Sequence, residues 1–87
     1  MKLNTNFELI EVADEHMAVP VGESAVAFSG VVFLSNSAFL LLQHMKQPRD
    51  EDDLAEFLVS TFGIDKKTAK TDVDEFIKSV TDMGLIE

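Results

Sequence analysis

The abrupt junction in GVVFLSNSAFLLLQHM, residues 30–45, constrains the fold of this chain more than any other feature. An apolar run typical of a strand, Val31 to Leu34, is separated from an apolar helical run by only Ser35 and Asn36. Either of these two side chains can cap a helix by accepting a hydrogen bond from an exposed N–H group. The sequence therefore predicts a strand that leads directly into a capped helix, residues 37–45, which should be buried.

The segment before this junction has the pattern of a β-hairpin. Apolar and polar residues alternate in FELIEV and again in MAVPV, and residues 13–16 are expected to form the turn between them. Pro20 cannot donate a ladder hydrogen bond, so the second strand should end there or lie at an edge. The following GESAVAFSG, residues 22–30, is expected to be a loop with extended character near residues 26–28.

Two further helices are predicted after the junction. Asp50 can cap a helix over residues 51–62 that ends at Gly63, and Asp65 can cap a third helix that runs to Met83. The apolar stripe of the third helix is Ala69, Val73, Phe76, Ile77 and Val80.

Gly84 is placed to end the third helix in a left-handed conformation, after which Leu85 and Ile86 can fold back on the core. The predicted order of elements is β-β-β-α-α-α, an α+β fold.

Length and charge exclude several classes of protein. The 87 residues predict a single domain, 1–87, and 46% of them are hydrophobic. The net charge of −9 argues against a nucleic-acid partner and against an anionic membrane surface. The chain has no cysteine and no apolar run long enough to span a bilayer, and its N-terminus does not resemble a signal peptide. A cytoplasmic location is expected.

Residues for catalysis are scarce. His16 and His44 have no partners at the spacing of metal ligands, and the acidic run of residues 50–53 lacks the alternating ligands and central glycine of a calcium loop. The four glycines are isolated, so no phosphate-binding loop is present. We expect no catalytic residue, no metal and no cofactor, and therefore a protein that is not an enzyme.

Nearly the whole chain resembles the PqqD-like family, named for a protein of pyrroloquinoline quinone biosynthesis. The positions that carry the resemblance are Gly30, Leu34, Asn36, Phe39, Leu54, Ile64, Asp65, Asp72, Val73, Phe76, Gly84 and Leu85. Two departures are the Ser35-Asn36 pair, where the family usually has Asn directly after Leu, and Asp50 in place of the usual Thr.

The resemblance implies a winged helix-turn-helix domain that binds the leader segment of a precursor peptide. The peptide adds as a strand along the third strand and lies between it and the third helix, which is consistent with an exposed strand edge after the loop. The implied peptide-binding residues are Val31, Val32, Phe33, Leu34, Lys66, Ala69, Lys70, Val73 and Ile77. The implied partner is a maturation enzyme, a radical S-adenosylmethionine protein.

Two details of this interpretation can be tested against a structure. The N–H group of Val32 is expected to be one that an added strand uses. Lys66, Lys67 and Lys70 form the most basic stretch of the chain, so an acidic residue of the leader is expected to be steered to the start of the third helix.

Two other functions remain open from the sequence. The same topology permits a DNA-binding winged helix, which the acidic charge disfavours. An exposed edge strand also permits a docking module that forms a homodimer or binds a partner enzyme without any peptide.

Overall fold

Three antiparallel strands are followed by three helices in the computed structural model, which describes residues 1–22 and 30–87. The elements are β1 (Phe7–Val12), β2 (Glu15–Pro20), β3 (Val32–Leu34), α1 (Asn36–His44), α2 (Glu51–Phe62) and α3 (Lys66–Asp82). This order confirms the predicted α+β fold. The predicted extended stretch near residues 26–28 lies outside the described residues.

β1 and β2 form the predicted hairpin, but its turn is shorter than expected. The register runs from Phe7 opposite Pro20 to Val12 opposite Glu15, which leaves only Ala13 and Asp14 in the turn. The predicted turn over residues 13–16 was therefore too long. Ala13 has a φ of 54°, a conformation that usually favours glycine, so a turn this tight is not evident from the residues that form it. β2 ends at Pro20, as predicted.

β3 pairs antiparallel with β2 and forms one side of the sheet, whose order is β1-β2-β3. It begins at Val32, one residue later than predicted. Val32 and Leu34 pack against the core, while Phe33 is exposed. The alternation is that of a strand with one face on the core and one toward solvent.

Ser35, and not Asn36, caps α1. Its hydroxyl oxygen accepts a hydrogen bond from the N–H of Ala38 at 3.2 Å, so Asn36 is already the first helical residue. The helix therefore starts one residue earlier than predicted and ends at His44, with Met45 as its C-cap. The strand-to-helix junction is thus a single residue long.

The caps of α2 and α3 lie where the sequence predicts them. The Asp50 carboxylate accepts a hydrogen bond from the N–H of Asp53 at 2.8 Å, and the Asp53 carboxylate accepts one from the N–H of Asp50 at 3.1 Å. Gly63 ends α2 with a φ of 68°. The Asp65 carboxylate accepts one hydrogen bond from the N–H of Thr68 at 2.7 Å and a second from the Thr68 hydroxyl at 3.1 Å. Together these bonds hold the pKa of Asp65 below its ordinary value.

The core lies between the inner face of the sheet and the three helices. Its largest fully buried side chains are Leu42, Met45, Leu54, Leu85, Val73 and Val80. Leu85 folds back on the core as predicted, and Ile86 forms an isolated bridge with Leu3, so the two ends of the described chain meet. No helix among the described residues is long and apolar enough to cross a membrane.

Candidate functional site

A groove of about 910 Å³ separates β3 from α3. β3 and the start of α1 form one side, α3 forms the other, and the end of α2 contributes to its floor. The lining residues are Phe33, Leu34, Ser35, Asn36, Ser37, Ala38, Leu41, Leu58, Phe62, Ile64, Asp72, Glu75, Phe76, Ser79, Val80 and Met83.

The strand register determines which backbone groups face the groove side of β3. In an antiparallel ladder, opposite residues alternate between pairs that exchange two hydrogen bonds and pairs that exchange none. The two-residue turn makes Val12 and Glu15 a bonded pair, and the 2.8 Å bond from the N–H of Val21 to the carbonyl of Asn6 gives the same alternation. His16 and Ala18 therefore direct their backbone groups toward β3.

The same alternation continues into β3. Val32 lies opposite Ala18 and Leu34 opposite His16, so these two residues bond to β2. Phe33, opposite Met17, directs its N–H and carbonyl away from β2, to the side on which the described sheet has no further strand. The expectation that the N–H of Val32 faces an added strand is therefore wrong, because that group points into the sheet.

Large apolar side chains are unusually exposed along this groove. Phe33 is 67% exposed and Phe62 is 40% exposed, while Ile64, Phe76 and Met83 are half-buried. Burial of an exposed aromatic side chain by a ligand is favourable by up to a few kcal/mol. The groove can therefore hold an apolar segment in contact with a strand edge.

One flank of α3 borders the groove. Asp72, Phe76, Ser79 and Met83 follow one another at intervals of three or four residues, with Glu75 beside them, and so share a side of the helix. The spacing of this stripe is visible in the sequence, but Asp72 and Phe76 are also positions of the family resemblance and Phe76 of the apolar stripe, so the pattern alone does not indicate a groove.

The α3 residues proposed from the family resemblance do not line the groove. Ala69 and Val73 are 0% and 1% exposed, so their side chains pack in the core. Lys66, Lys70 and Ile77 lie on the other flank of the helix. A peptide contact through these five residues stays a prediction that the groove does not support.

Lys70 has acidic neighbours of its own. It lines a small cavity of about 150 Å³ together with Val73, Asp74 and the first residues of α2, Glu51 and Asp52. Three acidic residues therefore line the same cavity as Lys70. The sequence pattern that suggested a basic surface is therefore balanced locally in the folded chain.

The two histidines have structural neighbours. His16 lies in β2, not in the turn, with its Nε2 2.6 Å from a carboxylate oxygen of Glu11 and its ring 4.7 Å from that of Phe39. His44 stacks on Phe57 with ring centroids 4.5 Å apart. Burial, followed by the positive charge of Arg49, lowers the pKa of His44 below its ordinary 6.5.

Within residues 1–22 and 30–87, no group of three or more histidine, aspartate or glutamate side chains is arranged to hold a metal ion. The features that distinguish the groove are its shape, its apolar surface and its strand edge.

Comparison with known proteins agrees with this architecture. Residues 15–86 match the family model described as coenzyme PQQ synthesis protein D (PqqD). A solved structure of TbiB1 in complex with the TbiA(beta) leader peptide has the same fold, with a TM-score of 0.79 and 13% sequence identity over 100% of this chain and 95% of that one. No curated protein sequence matches the chain significantly. Since the family model spans most of its length, the chain belongs to the PqqD family.

Proposed function

We propose that this protein binds the leader segment of a ribosomally made precursor peptide as an added strand on β3. The observation that carries the proposal is the open backbone of Phe33 beside an apolar groove. An extended segment that pairs with this edge satisfies both groups of Phe33 and lays its side chains along Phe62 and Phe76.

Family membership and fold likeness support this function. The chain belongs to the PqqD family, and its fold is similar to that of TbiB1, a protein solved with a leader peptide. The comparison concerns the fold alone, so the residues proposed to contact the peptide rest on the groove of this chain.

The proposed role is binding without catalysis. The protein holds the leader so that the remainder of the precursor reaches a maturation enzyme, for which we propose a radical S-adenosylmethionine protein. The complex forms in the cytoplasm, where precursor peptides are synthesised.

The contribution of the strand edge can be measured by comparing Phe33→Pro with Phe33→Ala. Both changes remove the exposed aromatic ring, but only proline also removes the N–H that faces the open side. Proline is tolerated at such an edge position because that N–H has no ladder partner. The one lost hydrogen bond, at about 0.5–1.5 kcal/mol, should weaken binding by Phe33→Pro roughly 2- to 10-fold relative to Phe33→Ala.

The ligands for this titration are synthetic N-terminal segments of any short peptides that the genes neighbouring this one encode, and calorimetry gives their dissociation constants. Circular dichroism checks that both variants remain folded. Equal affinity of the two variants would contradict strand addition. If no segment binds and light scattering instead reveals a dimer that Phe33→Pro disrupts, the edge serves self-association.

A further inference from the structure

The carboxylates that line the groove indicate which chemical groups its ligand should carry. Asp72 and Glu75 stand one turn apart on α3 and are the charged residues that line the groove in the described chain. Both are exposed, and neither takes part in an ion pair within the described residues, where the recorded pair joins His16 and Glu11. Lys78, one turn after Glu75, is not within ion-pair distance of it.

Lys70, on the other flank of α3, does not supply this missing charge. Because the helix turns about 100° per residue, Lys70 is about 160° around the axis from Asp72 and about 140° from Glu75. It instead lines the small cavity together with Asp74 and the first residues of α2. The groove therefore presents a negative wall beside an apolar floor that contains Phe62 and Phe76.

We infer that the peptide segment held in this groove carries a lysine or arginine next to an apolar residue, and that Asp72 and Glu75 bind the cation. The inference rests on the proposed function and makes its ligand more specific. An extended peptide sends alternate side chains to opposite sides, so one neighbour can enter the apolar floor while the other faces α3. It also reverses the expectation that an acidic residue is steered to Lys66 and Lys70.

The net charge of −9 would attract any basic peptide, so the test must separate the groove from the whole molecule. The variant Asp72→Asn/Glu75→Gln removes both groove carboxylates. Its control, Asp74→Asn/Glu56→Gln, makes the same change in total charge at two exposed residues that do not line the groove.

The probe is a display library of random peptides about 12 residues long. At roughly 3.3 Å per residue, such a peptide spans the 40 Å longest dimension of the domain. We expect the protein and the control variant to select peptides enriched in lysine or arginine beside an apolar residue. Asp72→Asn/Glu75→Gln should select the apolar residue without that enrichment.

A selected peptide then permits a direct measurement of coupling. Replacing its basic residue with glutamine should weaken binding about 2- to 5-fold to the parent protein and to the control variant, and should have little effect on Asp72→Asn/Glu75→Gln. Equal losses with all three proteins would overturn the inference, because the cation would then act through the total charge.

The outcomes distinguish this inference from the function on which it rests. The selected peptides could bind in the groove without enrichment in lysine or arginine, and with equal affinity for the parent protein and for Asp72→Asn/Glu75→Gln. That result overturns the inference and leaves leader binding intact. A library from which nothing is selected contradicts the proposed function, and with it the inference.

Discussion

The two flanks of α3 differ in almost every property that matters for binding. One flank carries Asp72, Glu75 and Ser79 and borders a groove with an open strand edge on its far side. The other carries Lys66 and Lys70, of which Lys70 lies beside the start of α2. Both flanks adjoin the same buried stripe, so hydrophobic periodicity alone does not distinguish them. What distinguishes them is the direction from which β3 approaches the helix.

The largest expected effect comes from filling the groove at Ser79. Ser79→Arg places a long side chain on the groove flank, where it competes with the ligand for space and can pair with Glu75 one turn earlier. We expect leader affinity to fall about tenfold or more, equivalent to about 1.4 kcal/mol. Thr81→Arg adds the same side chain to the other flank and should leave the dissociation constant nearly unchanged. If calorimetry gives equal losses for the two, the flank assignment is wrong.

The helix ends show how much of the fold the sequence could predict. Asp50, Gly63 and Asp65 lie at their predicted positions because capping depends on a few neighbouring residues. The hairpin turn was misjudged because an alanine, Ala13, adopts the left-handed conformation there. These are local effects, and the sequence carries most of the information on them.

The binding flank could not be predicted in the same way. The stripe of Ala69 and Val73 indicates the buried side of α3, but the position of β3 beside Phe76 depends on packing across the whole domain. The role of Phe33 likewise depends on a register that begins at a distant hairpin turn. Site residues therefore followed from the structure, whereas the function class was already implied by the family resemblance.

The entry into α1 offers a smaller, purely structural effect at the end of the groove. Ser35→Ala should destabilise the protein by about 0.5–2 kcal/mol because the N–H of Ala38 loses its acceptor. Asn36→Ala is the matched control and should change the free energy of unfolding by much less, since Asn36 is inside the helix. Urea unfolding measures both free energies. A larger loss of stability for Asn36→Ala than for Ser35→Ala would indicate that Asn36 is the N-cap.

His44 provides a change outside the groove that should affect stability and not binding. Its lowered pKa means that the unfolded chain takes up a proton near pH 6.5, before the folded chain does. This residue's contribution is therefore complete above pH 6.5 and declines as the pH falls toward the lowered value. His44→Phe, which preserves the stacking on Phe57, should reduce the loss of stability between about pH 7.5 and pH 5.5. An unchanged pH profile in urea unfolding would contradict this assignment.

Lys70→Glu should have only a small effect on binding. Lys70 lies on the flank away from the groove, and mobile ions screen charges beyond about 8 Å at physiological salt. We expect an association rate within about twofold of the parent under those conditions. Marked slowing of association in a stopped-flow experiment would restore the lysine flank as the binding surface.

Amide hydrogen exchange at Phe33 tests the central claim most directly. The N–H groups of Val32 and Leu34 already bond to β2, so peptide binding should change their exchange little, whereas the N–H of Phe33 faces the open side. With a bound peptide at saturation, we predict that exchange at Phe33 slows by about tenfold or more, as expected for a newly formed ladder bond. Unchanged exchange at Phe33 in the saturated complex would contradict strand addition to β3.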